Sequence, residues 1–235
     1  MYCHSMNLKY LFVVLLVLLN FSSYLYGGYL SKASLLFNGF YFATLVVSVY
    51  VLCKLETKPL LVFSGLAVIL GILVEYVNTQ AANWTYYNGG QPPLWVAVGW
   101  VFLLAIVFYS AQYLKKYANW KTYAVIPALL CFGLFFLFSY TEGNITFLTI
   151  GLYLFMAVLG VYSSVYGTFG WNFAVLVTGI VIGSTSEALG ASCGLWTFRS
   201  GELLPLPMVF AWSANAFCLS GLLRVFKVFA DKLFQ

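Results

Sequence analysis

Two acids stand inside apolar stretches of this chain, Glu75 and Glu187, while Glu56, Glu142, Glu202 and Asp231 fall in the segments between them or near the end. An ionisable side chain within a membrane costs several kcal/mol unless it is paired, hydrated or neutralised. Desolvation penalises the charged form, so either carboxyl can remain a protonated acid near neutral pH. A neutral carboxylic acid in an apolar cavity is suited to giving its proton to a carbon–carbon double bond. The competing reading is structural: each Glu lies within a turn or two of the interface and hydrogen-bonds a neighbouring loop.

Each acid is followed by an aromatic, turn-rich segment, Asn83-Trp84-Thr85-Tyr86-Tyr87-Asn88-Gly89-Gly90 in one case and Trp196-Thr197-Phe198-Arg199-Ser200-Gly201 in the other. Pro93 and Pro205 then open the next apolar stretch, where a missing N–H costs nothing. Trp and Tyr at this depth commonly form an interfacial belt. They can equally line the mouth of a cavity, and aromatic faces attract a cationic centre within about 6 Å without attacking it. The candidate catalytic residues are therefore Glu75 and Glu187. The candidate substrate-binding residues are Asn78, Asn83, Trp84, Tyr86, Trp100, Trp196, Phe198 and Trp212.

The elements that must position them follow from composition. Of 235 residues 63% are hydrophobic and 7% charged, with mean hydropathy +0.95; a soluble domain carries about 25% charged residues. The apolar runs suffice to cross a hydrocarbon core, which takes about 20 helical residues, and without strict alternation they read as helices rather than barrel strands. The expected fold is an all-α integral membrane protein, a single polytopic domain over 1–235 with eight spans near 8–26, 34–53, 59–78, 93–113, 122–140, 146–166, 171–190 and 205–226. A cleaved signal peptide competes for the first span, but Leu8–Tyr26 is longer than a usual signal core and lacks a small-x-small site.

Lys9, Lys54, Lys58, Lys115, Lys116, Lys121, Arg224, Lys227 and Lys232 fall on one side of these spans, and only Lys32 and Arg199 on the other. That asymmetry places both termini in the cytoplasm, in a prokaryotic inner or plasma membrane. It also accounts for the net charge of +5 without nucleic acid. Cys3, Cys53, Cys131 and Cys218 have no metal or disulfide spacing, and His4 lies in the N-terminal tail.

The chain aligns with itself at an offset of 112 residues, through Gly71/Gly183, Glu75/Glu187, Trp84/Trp196, Thr85/Thr197, Gly89/Gly201, Pro93/Pro205, Leu94/Leu206 and Trp100/Trp212. Weaker agreement includes Gly39/Gly151, Tyr41/Tyr153 and Lys115/Lys227. The expectation is two parallel four-helix repeats, 1–116 and 117–235, related by an axis along the membrane normal. The two acids would then face one cavity at equal depth. The halves also differ: Asn78, Gln80 and Asn83 of the first are Gly190, Ser192 and Leu195 in the second, which adds Arg199, an interfacial anchor by its position.

The stretch Glu187-Ala-Leu-Gly190 through Gly194-Leu-Trp196-Thr-Phe198, then Pro205 and Trp212, resembles integral-membrane carotenoid-biosynthesis proteins of the bacterioruberin-hydratase type. Trp84-Thr-Tyr86 with Gly89, Pro93 and Gly99-Trp100 is similar to that family's other acidic segment, although the aspartates expected there are absent. Lycopene-cyclase domains and membrane terpene cyclases are similar in plan. The resemblance covers about sixty residues and implies isoprenoid chemistry begun by protonation. The function expected is hydration or cyclisation of an isoprenoid by Glu75 or Glu187, with membrane lipid and a hydrophobic isoprenoid as partners. No cofactor is expected, since no Rossmann fingerprint, His ligand pair or Walker sequence is present. The alternatives are a small proton-coupled transporter, which calls for broken helices around the acids, and an assembly protein without catalysis.

Overall fold

The computed structural model describes residues 57–87, 92, 94–117, 124–142 and 144–226. The two spans expected before residue 54, and Asn88, Gly89, Gly90 and Pro93, lie outside the described residues. The rest is mostly helical. Helix α1 is Thr57–Gln80, strand β1 Trp84–Tyr86, and α2 Leu94–Leu114, extended by a 3-10 turn at Lys115–Tyr117. Then come α3 Ile126–Glu142, α4 Phe147–Val165 and α5 Phe169–Thr178. A π-turn at Gly179–Gly183 joins α5 without a break to α6, Ser184–Ser192, followed by β2 Trp196–Phe198 and α7 Leu206–Val225.

Among the described residues, four helical stretches are long and apolar enough to cross a membrane: Val62–Gln80, Phe147–Val165, Phe169–Ser192 and Leu206–Val225. Their faces are arranged for lipid. On α1, Ile69, Ile72, Leu73 and Tyr76 form an exposed apolar stripe at helical spacing, while Leu70, Val74, Val77 and the polar Glu75 and Asn78 are buried. Polar groups inside and hydrocarbon outside is the arrangement a bilayer rewards, because lipid cannot hydrogen-bond. Helix α7 is the hub: 78% of its span is buried, against 39–44% for the other three, and it packs on α3, α4, α5 and the π-turn.

Local sequence explains the ends. Thr146 caps α4 in a capping box with Thr149, and the Thr168 side chain accepts the Trp171 N–H to start α5, satisfying donors that a helix start leaves free. After Gln80 the chain turns through Ala82 at φ 54°, and after Ser192 through Gly194 at φ 69°. The turns share their bonds: Ala81 N–H to Val77 O and Asn83 N–H to Asn78 O in one, Cys193 N–H to Leu189 O and Leu195 N–H to Gly190 O in the other. Each left-handed turn releases a three-residue strand.

Within this mostly helical fold the two aromatic segments form a short two-stranded sheet. β1 and β2 pair antiparallel, with Trp84 opposite Phe198, Thr85 opposite Thr197 and Tyr86 opposite Trp196. The pair is extended by Arg199 N–H to Asn83 O at 2.9 Å and Tyr87 N–H to Leu195 O at 3.0 Å. Their outer positions are buried and Thr85 and Thr197 exposed, so alternation along the strand turns every ring to the protein interior.

Candidate functional site

Glycine, glutamate and tryptophan build the site twice. A side chain at Gly71 would collide with the Trp100 ring, and one at Gly183 with Trp212. The bare helix surface lets an indole from α2 or α7 lie flat against it, and one helical turn further on stands a glutamate. Trp100 Nε1 donates to Glu75 Oε1 at 2.9 Å, and Trp212 Nε1 donates to Glu187 Oε1 at 2.7 Å. The two indoles meet, with ring centroids 4.7 Å apart and planes at 33°.

The strands supply the remaining donors. Trp84 Nε1 and the Tyr86 hydroxyl both donate to Glu75 Oε2, at 3.0 and 2.7 Å. Glu75, 7% exposed, thus accepts three bonds, all from neutral side chains, and the indoles among them can only donate. The indole of Trp196 also bears on the Glu187 carboxyl. Where Tyr86 serves the first acid, however, position 198 is Phe, which has no hydroxyl to give. Glu187 is partly buried rather than buried.

Both acids line one cavity of about 730 Å³, its mouth included, together with Asn78, Trp84, Tyr86, Trp100, Trp196, Phe198 and Trp212. Of the residues named from sequence, only Asn83 stands outside it. Asn83 lines an adjoining pocket with Glu142, Asn144 and Arg199. There it is a clamp: its Oδ1 accepts the Asn144 N–H, its Nδ2 donates to Asn78 Oδ1 at 2.9 Å, and Asn144 Nδ2 returns a bond to Ala81 O at 2.8 Å. Arg199 is exposed. Glu142 accepts the backbone N–H of Leu206 at the start of α7, a favourable place for a carboxylate.

Sequence reasoning missed several wall residues. Tyr153 of α4 donates its hydroxyl to Asn78 Oδ1 at 2.7 Å, in the buried interior. Phe135, Met156, Ser186 and Asn215 also line the cavity. Tyr153 did appear in the weak Tyr41/Tyr153 correspondence, but nothing in its neighbourhood marks it, because its partner is 75 residues away. The helix interruption at Gly179–Gly183 was equally unannounced: no proline is involved, and both glycines are crowded by α7 at Ser213 and Trp212. π-turns of this kind concentrate at functional sites.

No protein-family model matches this chain, and no curated protein or solved structure does either.

Proposed function

We propose that the chain is an integral-membrane enzyme of isoprenoid metabolism, one that begins hydration or cyclisation of a double bond by proton transfer from a carboxylic acid. Glu187 is the proton donor in this reading, and Glu75 is a fixed companion that shapes the opposite wall. The observation that carries it is the unequal dressing of two otherwise matched acids in one aromatic cavity. Glu75 is engaged by Trp84, Tyr86 and Trp100, whereas Phe198 leaves Glu187 one hydroxyl donor short. A carboxyl not saturated by donors can keep its proton and present it to a substrate, and general acids work best in that poised state. The faces of Trp84, Trp196, Trp100 and Trp212 would steady a carbocation while offering it no nucleophile.

The whole chain in this reading is two parallel four-helix repeats, with both termini cytoplasmic. Several features at the 112-residue offset support it: the matched bounds of Thr57–Gln80 and Phe169–Ser192, the matched left-handed turns, and the strand register centred on Thr85 and Thr197. A twofold axis through that central pair would exchange the two glutamates.

A proton-coupled carrier is the second reading, favoured by the π-turn that ends one turn before Glu187. The two part in a host that accumulates acyclic polyenes. Mass spectrometry of its pigments, comparing the intact protein with Glu75→Gln and Glu187→Gln at equal protein level, should show a hydrated or cyclised product that Glu187→Gln abolishes. A carrier would leave the polyenes chemically unchanged in all three strains.

A further inference from the structure

Among the described residues that line the shared cavity there are eight aromatic side chains, four of them Trp, with two carboxyls and no Lys, Arg or His. Most of the polar groups there are already bonded. Asn78 Oδ1 accepts from Tyr153 and Asn83, Asn78 Nδ2 donates to Val74 O, and the Tyr86 hydroxyl donates to Glu75. A carboxylate offers about four lone-pair sites. Glu75 accepts three bonds, whereas Glu187 is met by the indoles of Trp212 and Trp196 and, with Phe at position 198, by no strand hydroxyl. Asn215, one turn beyond Trp212 on α7, is 2% exposed, lines the cavity, and has no hydrogen-bond partner for its Oδ1.

A lining of ring faces, carboxyls and an unmet amide oxygen suits a group that is positively charged, apolar in bulk and able to donate a hydrogen bond. Aromatic faces attract an ammonium within about 6 Å, and more strongly where water is excluded. A buried cation is tolerated only beside a counter-charge, and no cationic side chain of the described wall takes that place. We infer that the cavity is a binding site for a lipophilic organic ammonium, a protonated tertiary amine, with its N–H on Asn215 Oδ1 and its charge opposite Glu187. This assignment stands apart from the isoprenoid reading: an enzyme with this lining would be inhibited by such an amine, and a carrier would take it as cargo.

Charge balances by exchange. The ammonium enters, the Glu187 carboxyl proton leaves to water, and an ion pair replaces a neutral acid, so the cavity carries no added charge. The other titratable groups on the described wall are Glu75, held by its three donors, and the phenols of Tyr86 and Tyr153, which donate to Glu75 and Asn78. Lowering the pH returns the proton to Glu187 and expels the cation, so affinity for the ammonium falls with pH while affinity for a neutral ligand of the same shape does not.

The test uses the purified full chain in an uncharged detergent and equilibrium dialysis of three ¹⁴C-labelled probes of nearly one shape. They are protonated N,N-dimethyl-2-phenylethylamine, its trimethylammonium counterpart and the hydrocarbon 3,3-dimethylbutylbenzene, with detergent alone as the partition background. The tertiary ammonium should bind about tenfold or more tightly than the hydrocarbon, a factor that contact with desolvated rings supports. The trimethylammonium probe, which has no N–H to give, should fall between them. Glu187→Gln should abolish the preference for ammonium over hydrocarbon together with its pH dependence. Asn215→Leu, which copies Leu103 at the 112-residue offset, should bring the two ammonium probes level and keep both ahead of the hydrocarbon. Equal affinity for ammonium and hydrocarbon, binding of no probe, or an ammonium preference unchanged in Glu187→Gln overturns the inference. An unchanged gap between the two ammonium probes in Asn215→Leu overturns the place given to the N–H. None of these failures touches acid catalysis, which the polyene experiment decides separately.

Discussion

Trp100 and Trp212 lie against each other at 4.7 Å between ring centroids, each with its indole N–H committed to a glutamate of its own half. The contact links two acids that are 112 residues apart in the chain. Neither ring can move without disturbing both carboxyls. Trp212→Phe keeps the ring contact and removes the donor to Glu187. A hydrogen bond between neutral groups contributes about 0.5–1.5 kcal/mol, so thermal unfolding in detergent should show a loss of that order. Trp100→Phe should cost less, because Glu75 retains Trp84 and Tyr86.

The glycines that admit these rings have no room for a methyl group. Gly71→Ala and Gly183→Ala should each destabilise the protein by about 1–3 kcal/mol through overpacking. Combining Gly71→Ala with Trp100→Leu should recover part of that loss, as expected of residues in direct contact. Additive losses in denaturation of the double variant would show that the glycine acts elsewhere.

Ala82 and Gly194 occupy the same left-handed turn position but differ in fitness for it, at φ 54° and 69°. A left-handed conformation costs a non-glycine residue roughly 1–2 kcal/mol. Ala82→Gly should therefore stabilise the protein by up to about 1 kcal/mol, after allowing for the greater backbone entropy glycine loses. Gly194→Ala should destabilise it by a similar amount, and opposite shifts in melting temperature check the pair.

Asn83 lies outside the main cavity and ties α1 to the loop at Asn144. Asn83→Ala should lower stability by about 1–3 kcal/mol, the cost of leaving its partners unmet. The identity of the product should be unchanged, as product profiling at a permissive temperature will show.

Much of this could be read in the sequence, for a physical reason. Glutamate in an apolar span is costly, and tryptophan is scarce, so Glu75, Glu187, Trp84, Trp100, Trp196 and Trp212 announce themselves, and their common spacing links them. Six of the eight expected spans have helices in the described residues. What stayed hidden depends on contacts between distant segments. A strand of three residues has too little alternation to declare itself, and Trp84–Tyr86 is a strand only because Trp196–Phe198 lies beside it. Asn215 and Tyr153 look like ordinary residues of apolar helices until the bundle turns them inward. Asn83 reads from sequence as a polar side chain able to hold a water or a headgroup, whereas the tight turn after α1 directs it to Asn144 instead.

The central claim is that Glu187 delivers a proton to carbon. It is tested most directly by incubating membranes that hold the protein with unlabelled, preformed polyene in deuterium oxide and measuring carbon-bound deuterium at the new carbon–hydrogen bond of the product. The account predicts one solvent-derived deuterium in the product of the intact protein, a product retained in Glu75→Gln at reduced yield, and none in Glu187→Gln at equal protein level. A deuterated product formed undiminished by Glu187→Gln would contradict it.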